Sequence, residues 1–312
     1  MMSFSQEVKN ELLLKEKLSN GEIMSELSSV IMICGALTFQ NKNTKISIET
    51  ENNPLVRKLF VSIKKLYSYE AKIQFIEKGQ IRKKNRYKVL IEDDKTVGKI
   101  LEDMNLGSIS LAFLTPNINK NLIDNNKKYG AYLRGSFLGG GYMVNPNKSY
   151  HLEMVVDNYK YAEELKKLME MSKLKPKIAK RKERYIVYLK DSEKISDFLA
   201  ITGAVNSKLK FENIKAIKDV KNQTNRAVNC DEANINKILK ASTLQIEAIE
   251  KIDRILGLEN LNDDLKELSK LRLENEEYSL EQLGAKMSKP LSKSAVNYRF
   301  KKIFDIAENL KK

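Results

Sequence analysis

The chain has 312 residues, ample for two or three domains with cores of their own. It is 42% hydrophobic and 31% charged, no apolar run is long enough to span a bilayer, and its two cysteines, Cys34 and Cys230, lie far apart, outside metal spacing and in keeping with a reducing compartment. The net charge of +15 points to an anionic partner, and the opening MMSFSQEVKNELL has acids and no signal-peptide core, so a cytoplasmic protein is expected, with no membrane partner and no small-molecule substrate.

In chain order, Leu27 to Leu37 (LSSVIMICGAL) predicts an apolar helix with small residues Ser28 and Ser29 and a stop at Gly35. An alternating strand follows at Lys45–Glu49, then a helix over Pro54–Tyr69 with Pro at its start and Leu55, Leu59, Ile63 and Leu66 on one face. Strands are expected at Lys72–Glu77 and Tyr87–Ile91 and a short helix at Thr96–Met104; Gly107–Lys128 reads as loop. The order then recurs. Ala131–Tyr142 (AYLRGSFLGGGY) is an apolar helix ending in three glycines, Tyr150–Val156 a strand, Tyr161–Leu174 a helix, Tyr185–Leu189 a strand and Ser192–Ile201 a helix. RYKVLIEDD at 86–94 even matches RYIVYLKDS at 184–192. The repeat, about 20–106 and 127–205, implies a pseudo-two-fold α+β domain over 1–215.

Both copies carry their densest positive charge just before the last strand. Lys78, Arg82, Lys83, Lys84, Arg86 and Lys88 form the first cluster; Lys175, Lys177, Lys180, Arg181, Lys182 and Arg184 form the second. Hairpins so placed would offer two symmetric cationic arms to the phosphates of a duplex, which favours binding without reading sequence.

From Phe211 onward the signals are helical. Asn229 with Glu232 suggests a capped start for a helix running to Leu256, stopped by Gly257, so 216–260 is expected to be a linker with a long helix. Residues 261–312 carry the sharpest local pattern: a supporting helix at Asp264–Leu273, then Ser279 and Gln282 as a capping box opening SLEQLGAKM, a turn at Ser288–Pro290, and Ser292 capping a helix with Val296, Phe300, Ile303, Ala307 and Leu310 in one stripe. This is the layout of a helix-turn-helix. Lys293, Ser294, Asn297 and Tyr298 lie in the first turns of its second helix, where base edges are met, while Arg299, Lys301, Lys302 and the turn residue Lys289 suit phosphates. Asn297 is the side chain suited to bidentate bonding with adenine.

The paired apolar helices closing on Gly resemble the LAGLIDADG helices of homing endonucleases, which pair at the centre of a saddle-shaped antiparallel sheet. Set on that motif, Leu27–Gly35 and Leu133–Gly141 fill its nine positions, and the metal-binding acid falls on Cys34 and Gly140. Both ligands are therefore missing, and no metal, cofactor or enzymatic activity is expected. A metal-dependent endonuclease or RNA maturase is the competing reading, and it would need Asp157 or Glu49 to substitute. The lone histidine, His151, has no triad or metal partner in the sequence, and GGGY lacks the spacing of a phosphate loop.

Across nearly the full length the chain resembles the WhiA family, through SFSQEVKNEL (3–12), YLRGSFLGGG (132–141), NRAVNCDEAN (225–234) and the tail 279–303. The resemblance implies a nuclease-like domain without nuclease activity joined to a helix-turn-helix, acting on double-stranded DNA as a transcription regulator in sporulation, cell division or chromosome segregation. Asn225, Arg226, Asn229 and Asn234 in the central block read as caps or an interdomain contact, with DNA contact as the lesser alternative. A third reading makes the C-terminal helices a docking module for a sigma factor or division protein.

Overall fold

The structure is a computed structural model and describes residues 2–15, 17–40, 43–76, 86–107, 114 and 116–310. Two compact units divide it, Met1–Lys218 and Asp219–Lys312.

The first unit opens with α1 (Phe4–Leu13), started by Ser3, whose hydroxyl accepts from the Gln6 amide. Helix α2 (Asn20–Cys34) begins at a full capping box of Ser19 and Glu22, and α5 (Asn126–Gly140) is its repeat-mate. These two pack along their length because Gly135 has no side chain: a Cβ there would lie 2.1 Å from Ser29 Oγ and 2.3 Å from the Glu26 carbonyl oxygen. Beside that contact, buried Arg134 donates to Glu26 at 2.5 Å, and Lys58 reaches the same carboxylate at 2.7 Å.

Each central helix feeds a four-stranded antiparallel sheet. After α2 come β1 (Gly35–Gln40), β2 (Asn43–Thr50), α3 (Asn53–Tyr67), β3 (Lys72–Ile76), β4 (Arg86–Ile91) and α4 (Asp94–Met104), with strand order β1-β2-β4-β3. After α5 come β5 (Gly141–Met143), β6 (Leu152–Val156), α6 (Tyr159–Met171), β7 (Lys177–Arg181), β8 (Arg184–Leu189) and α7 (Ser192–Thr202), in the same order β5-β6-β8-β7. The inward residues of the strands, Ile46, Ile48, Val89 and Ile91 in one sheet and Leu152, Met154, Val187 and Leu189 in the other, join one core with the helices. The alternate residues, among them Lys45, Glu49, Lys88 and Tyr188, point to the opposite face of each sheet.

The edge strands β1, β5 and β7 carry weak apolar patterns, and no local signal predicts them. Tertiary pairing makes the strands: Gly35 to Gln40 lies opposite Ile48 to Asn43, and Lys177 to Arg181 opposite Tyr188 to Arg184. The predicted start at Asn229 is corrected. Helix α8 runs unbroken from Val205 to Ile255, so Asn225, Arg226, Asn229 and Asn234 are interior, exposed helical residues, not caps.

The second unit contains the last part of α8 with α9 (Asp263–Glu274), α10 (Leu280–Lys286) and α11 (Lys293–Asn309). Its core joins Ile249 and Ile252 of α8 with Leu265, Leu268, Leu283, Val296, Phe300 and Ile303, the amphipathic stripes of four helices meeting at one centre.

Candidate nucleic-acid interface

The three C-terminal helices hold their geometry by local chemistry. Ser279 caps α10 by accepting from the Gln282 amide at 3.3 Å while Gln282 Oε1 accepts from the Ser279 amide at 2.8 Å. Ser292 does the same for α11, accepting from the Ala295 amide at 3.3 Å. Both serines, candidate DNA contacts at the openings of the two helices, thus spend an acceptor on their own helix. Gly284, which no sequence motif marks, sets the tight turn: a Cβ there would stand 2.3 Å from the Leu291 carbonyl oxygen. The turn is tied to α9 by Ser288, whose hydroxyl donates to Glu267 at 2.9 Å.

Arg272 is the other residue that sequence reasoning misses. It is fully buried, donates through Nη1 to the carbonyls of Asn275 (3.1 Å), Glu276 (3.2 Å) and Tyr278 (2.8 Å), and sits over the Phe300 ring of α11. One side chain thereby fixes both the approach to α10 and the position of α11. An arginine at a core-facing position in a helix that is otherwise apolar there is the available signal.

On α11 the structure leaves Lys293, Ser294, Asn297, Tyr298, Lys301 and Lys302 exposed, and Val296, Phe300, Ile303 and Ala307 buried. The exposed positions advance by one, three, one, three and one, so they occupy one continuous helical face. That face runs from Lys293 to Lys302, about 15 Å of the helix at about 1.5 Å rise per residue. Lys302 Nζ lies 4.9 Å from the Tyr298 ring centroid. Lys289 is exposed in the turn. Arg299, expected at phosphates, is instead turned to the scaffold: it is half-buried and pairs with Asp264 of α9 at 2.7 Å, and the guanidinium holds the Asp264 carboxyl below its ordinary range.

In the first unit, the predicted basic arms fall into three groups. Lys78, Arg82, Lys83 and Lys84 lie outside the described residues. Arg86 and Lys88 reach Glu49, each at 3.6 Å, Arg181 makes a bidentate pair with Glu153 at 3.1 Å on both bonds, and Arg184 pairs with Asp157 at 2.9 Å. Lys177, Lys180 and Lys182 of the second hairpin are exposed, with Lys182 in its turn at φ 56°. His151, at 2.9 Å from Glu153, joins the Arg181 pair and does not reach any metal-type cluster among the described residues. Burial works to raise the Glu153 pKa, but the bonds from His151 and Arg181 outweigh it and hold the group below its ordinary value.

The ends of α2 and α5 meet at a cleft of about 1030 Å³. Its lining repeats the pseudo-two-fold: Cys34 and Gly140 at the helix ends, Glu49 and Asp157 on the sheets, Arg86 and Arg184 beside them. In the LAGLIDADG arrangement this is where a divalent metal is held. The residues do not fit one. Gly140 offers no donor, burial pushes the Cys34 thiol up to about 12 so that it stays protonated, and the three carboxylates of the lining, Glu49, Glu51 and Asp157, are paired with Arg86, Lys88 and Arg184. Among the described residues no three His, Cys, Asp or Glu side chains converge. No helix of the described residues is long and apolar enough to cross a membrane.

Comparison with known proteins covers nearly the entire chain. Family models match residues 20–107 (WhiA N-terminal LAGLIDADG-like domain), 129–221 (WhiA LAGLIDADG-like domain) and 224–307 (WhiA C-terminal HTH domain). A "Probable cell division protein WhiA" of Clostridium perfringens (strain SM101 / Type A) is 39% identical over 315 residues, covering 99% of each chain. The protein of the same description from Clostridium tetani (strain Massachusetts / E88) is 40% identical over 316 residues, covering 100% of this chain and 99% of its own. Among solved structures, full-length WhiA from Thermotoga maritima matches over 100% of both chains at 28% identity with a TM-score of 0.59. The paired nuclease-like repeats, the helix-turn-helix that follows them and the identity over the full length lead to one conclusion: the chain belongs to the WhiA family.

Proposed function

We propose that this protein binds double-stranded DNA in a sequence-specific manner and regulates transcription in cell division, chromosome segregation or sporulation, on the nucleoid in the cytoplasm and without nuclease activity. The observation that carries the reading is the single exposed face of α11, where Lys293, Ser294, Asn297, Tyr298, Lys301 and Lys302 stand clear of a core that holds the opposite face. Asn297 supplies a bidentate donor and acceptor for a base edge, Ser294 and Tyr298 flank it, and Lys301 and Lys302 suit phosphates. Lys177, Lys180 and Lys182 add a cationic arm on the first unit for sequence-independent contact. The curated relatives' description as probable cell division proteins supports the physiological half.

Genome-wide footprinting of the native protein tests the proposal: discrete sites sharing a motif are expected, and their loss with Asn297→Ala. Uniform occupancy of the chromosome would remove base readout. The endonuclease reading keeps one observation in its favour, that Glu49 and Asp157 both line the cleft at the helix ends. Magnesium-dependent nicking of a plasmid, abolished by Glu49→Gln or Asp157→Asn, would establish it; no nicking is expected. The docking reading for the C-terminal helices requires DNA affinity to survive Lys301→Glu with Lys302→Glu, and the expectation is that affinity falls.

A further inference from the structure

A groove between the end of α1 and the outer face of α3 takes no part in the surfaces described above. It has a cavity volume of about 630 Å³, and Leu13, Leu18 and Ile23 contribute apolar lining. Leu14 and Val61, which also line it, are 76% and 62% exposed. Two large apolar side chains so exposed in one concavity mark a surface that is covered by something in its working state.

Among the described residues the charge lining the groove is of one sign: Lys15, Arg57, Lys58 and Lys65 line it, and no described Asp or Glu does. Lys58 is already committed to Glu26 at 2.7 Å, and Arg57 Nε donates only to the neutral Asn53 side chain at 3.1 Å. Lys15, Arg57 and Lys65 therefore have no carboxylate partner among the described residues. Along α3, Arg57, Val61 and Lys65 follow one another at four-residue steps, so a cation, an apolar side chain and a cation recur on one line with about 6 Å between neighbours.

We propose that this groove docks an acidic amphipathic helix of a partner protein. Its apolar residues, spaced i and i+4, cover Leu14 and Val61, and its Asp or Glu residues meet Lys15, Arg57 and Lys65. A duplex has no apolar face for Leu14 and Val61. A bilayer offers a plane, where this surface is concave. A helix, about 10–12 Å across, brings an apolar ridge with anionic flanks, the complement of what α1 and α3 present. The proposal stands apart from base readout by α11 and survives the failure of that reading.

Photocrosslinking in the cells that make the protein tests it. A benzophenone amino acid is placed at Val61 in the full chain, the crosslinked segment is identified by mass spectrometry, and that segment is synthesised and titrated onto the full-length protein. The expected segment is an acidic, amphipathic helix. Its Kd should weaken at least tenfold with Arg57→Glu plus Lys65→Glu and separately with Val61→Glu, all exposed positions whose replacement leaves the far-ultraviolet circular dichroism unchanged. Crosslinks only to a second copy, to lipid or to nucleic acid would overturn the proposal, as would no crosslink above that from an exposed control position, or a bound segment indifferent to the charge reversals.

Discussion

At the scale of single residues, the helix-turn-helix rests on side chains that never meet solvent. Arg272 and Gly284 fix where α11 stands, and Asn297 and Lys293 project from it. Replacing Asn297 or Lys293 by Ala should lower discrimination between a specific site and random DNA, by about 1–3 kcal/mol where a base edge goes unread, measured as the ratio of the two Kd values at fixed salt. Equal weakening on both duplexes would take the residue out of base readout. In the first unit, Glu26 is the shared acid of a buried triad with Arg134 and Lys58. Glu26→Gln strands a buried guanidinium at the helix seam and should lower unfolding stability by about 3–5 kcal/mol in urea titration. Gly135 is recognisable in sequence as a packing residue of that seam, because a small residue within an apolar helix is visible in one dimension. Arg134 beside it gives no such sign, since its partner lies 108 positions away.

Hairpins are the elements on which the electrostatic proposal depends. Much of their positive charge is answered within the sheet, by Glu49, Glu153 and Asp157. In sequence the arginines read as free arms, and their partners come from other strands of the sheet and the residue that follows one, out of reach of a linear scan. Lys180 and Lys182 remain exposed. Reversing both to Glu should weaken binding to every duplex alike and reduce the slope of log K against log salt by about 0.9 for each phosphate no longer neutralised. A slope equal to wild type would confine DNA binding to the second unit. The same sheet predicts an acid dependence. Glu153 titrates below its ordinary 4.5 in the folded chain, so its bonds to His151 and Arg181 stabilise the fold above that value and give way as pH falls through the lowered pKa. The urea midpoint should therefore drop between pH 5 and pH 3 (about the carboxylate range), and Glu153→Gln should flatten part of that drop.

Across the whole molecule, two hydrophobic cores are separate, one built on α2, α5 and the sheets and one on the C-terminal helices. Each should unfold as its own cooperative unit, giving two calorimetric transitions, and excised residues 219–312 should keep the second transition and the preference for specific DNA. A single transition, or a fragment without structure, would show that the units depend on each other to fold. The repeat, the paired helices, the absence of acids at Cys34 and Gly140 and the capped helices at Ser279 and Ser292 were determined by the sequence itself, because each is written in local spacing that a 3.6-residue helix turns directly into a face. The edge strands, the unbroken α8 through Asn229, the arginine–carboxylate pairs of the hairpins and the inward turn of Arg299 to Asp264 were decided only in three dimensions. Strand pairing and ion pairing join residues far apart in the chain, and what they settle is which charges stay free, something no count of lysines and arginines contains.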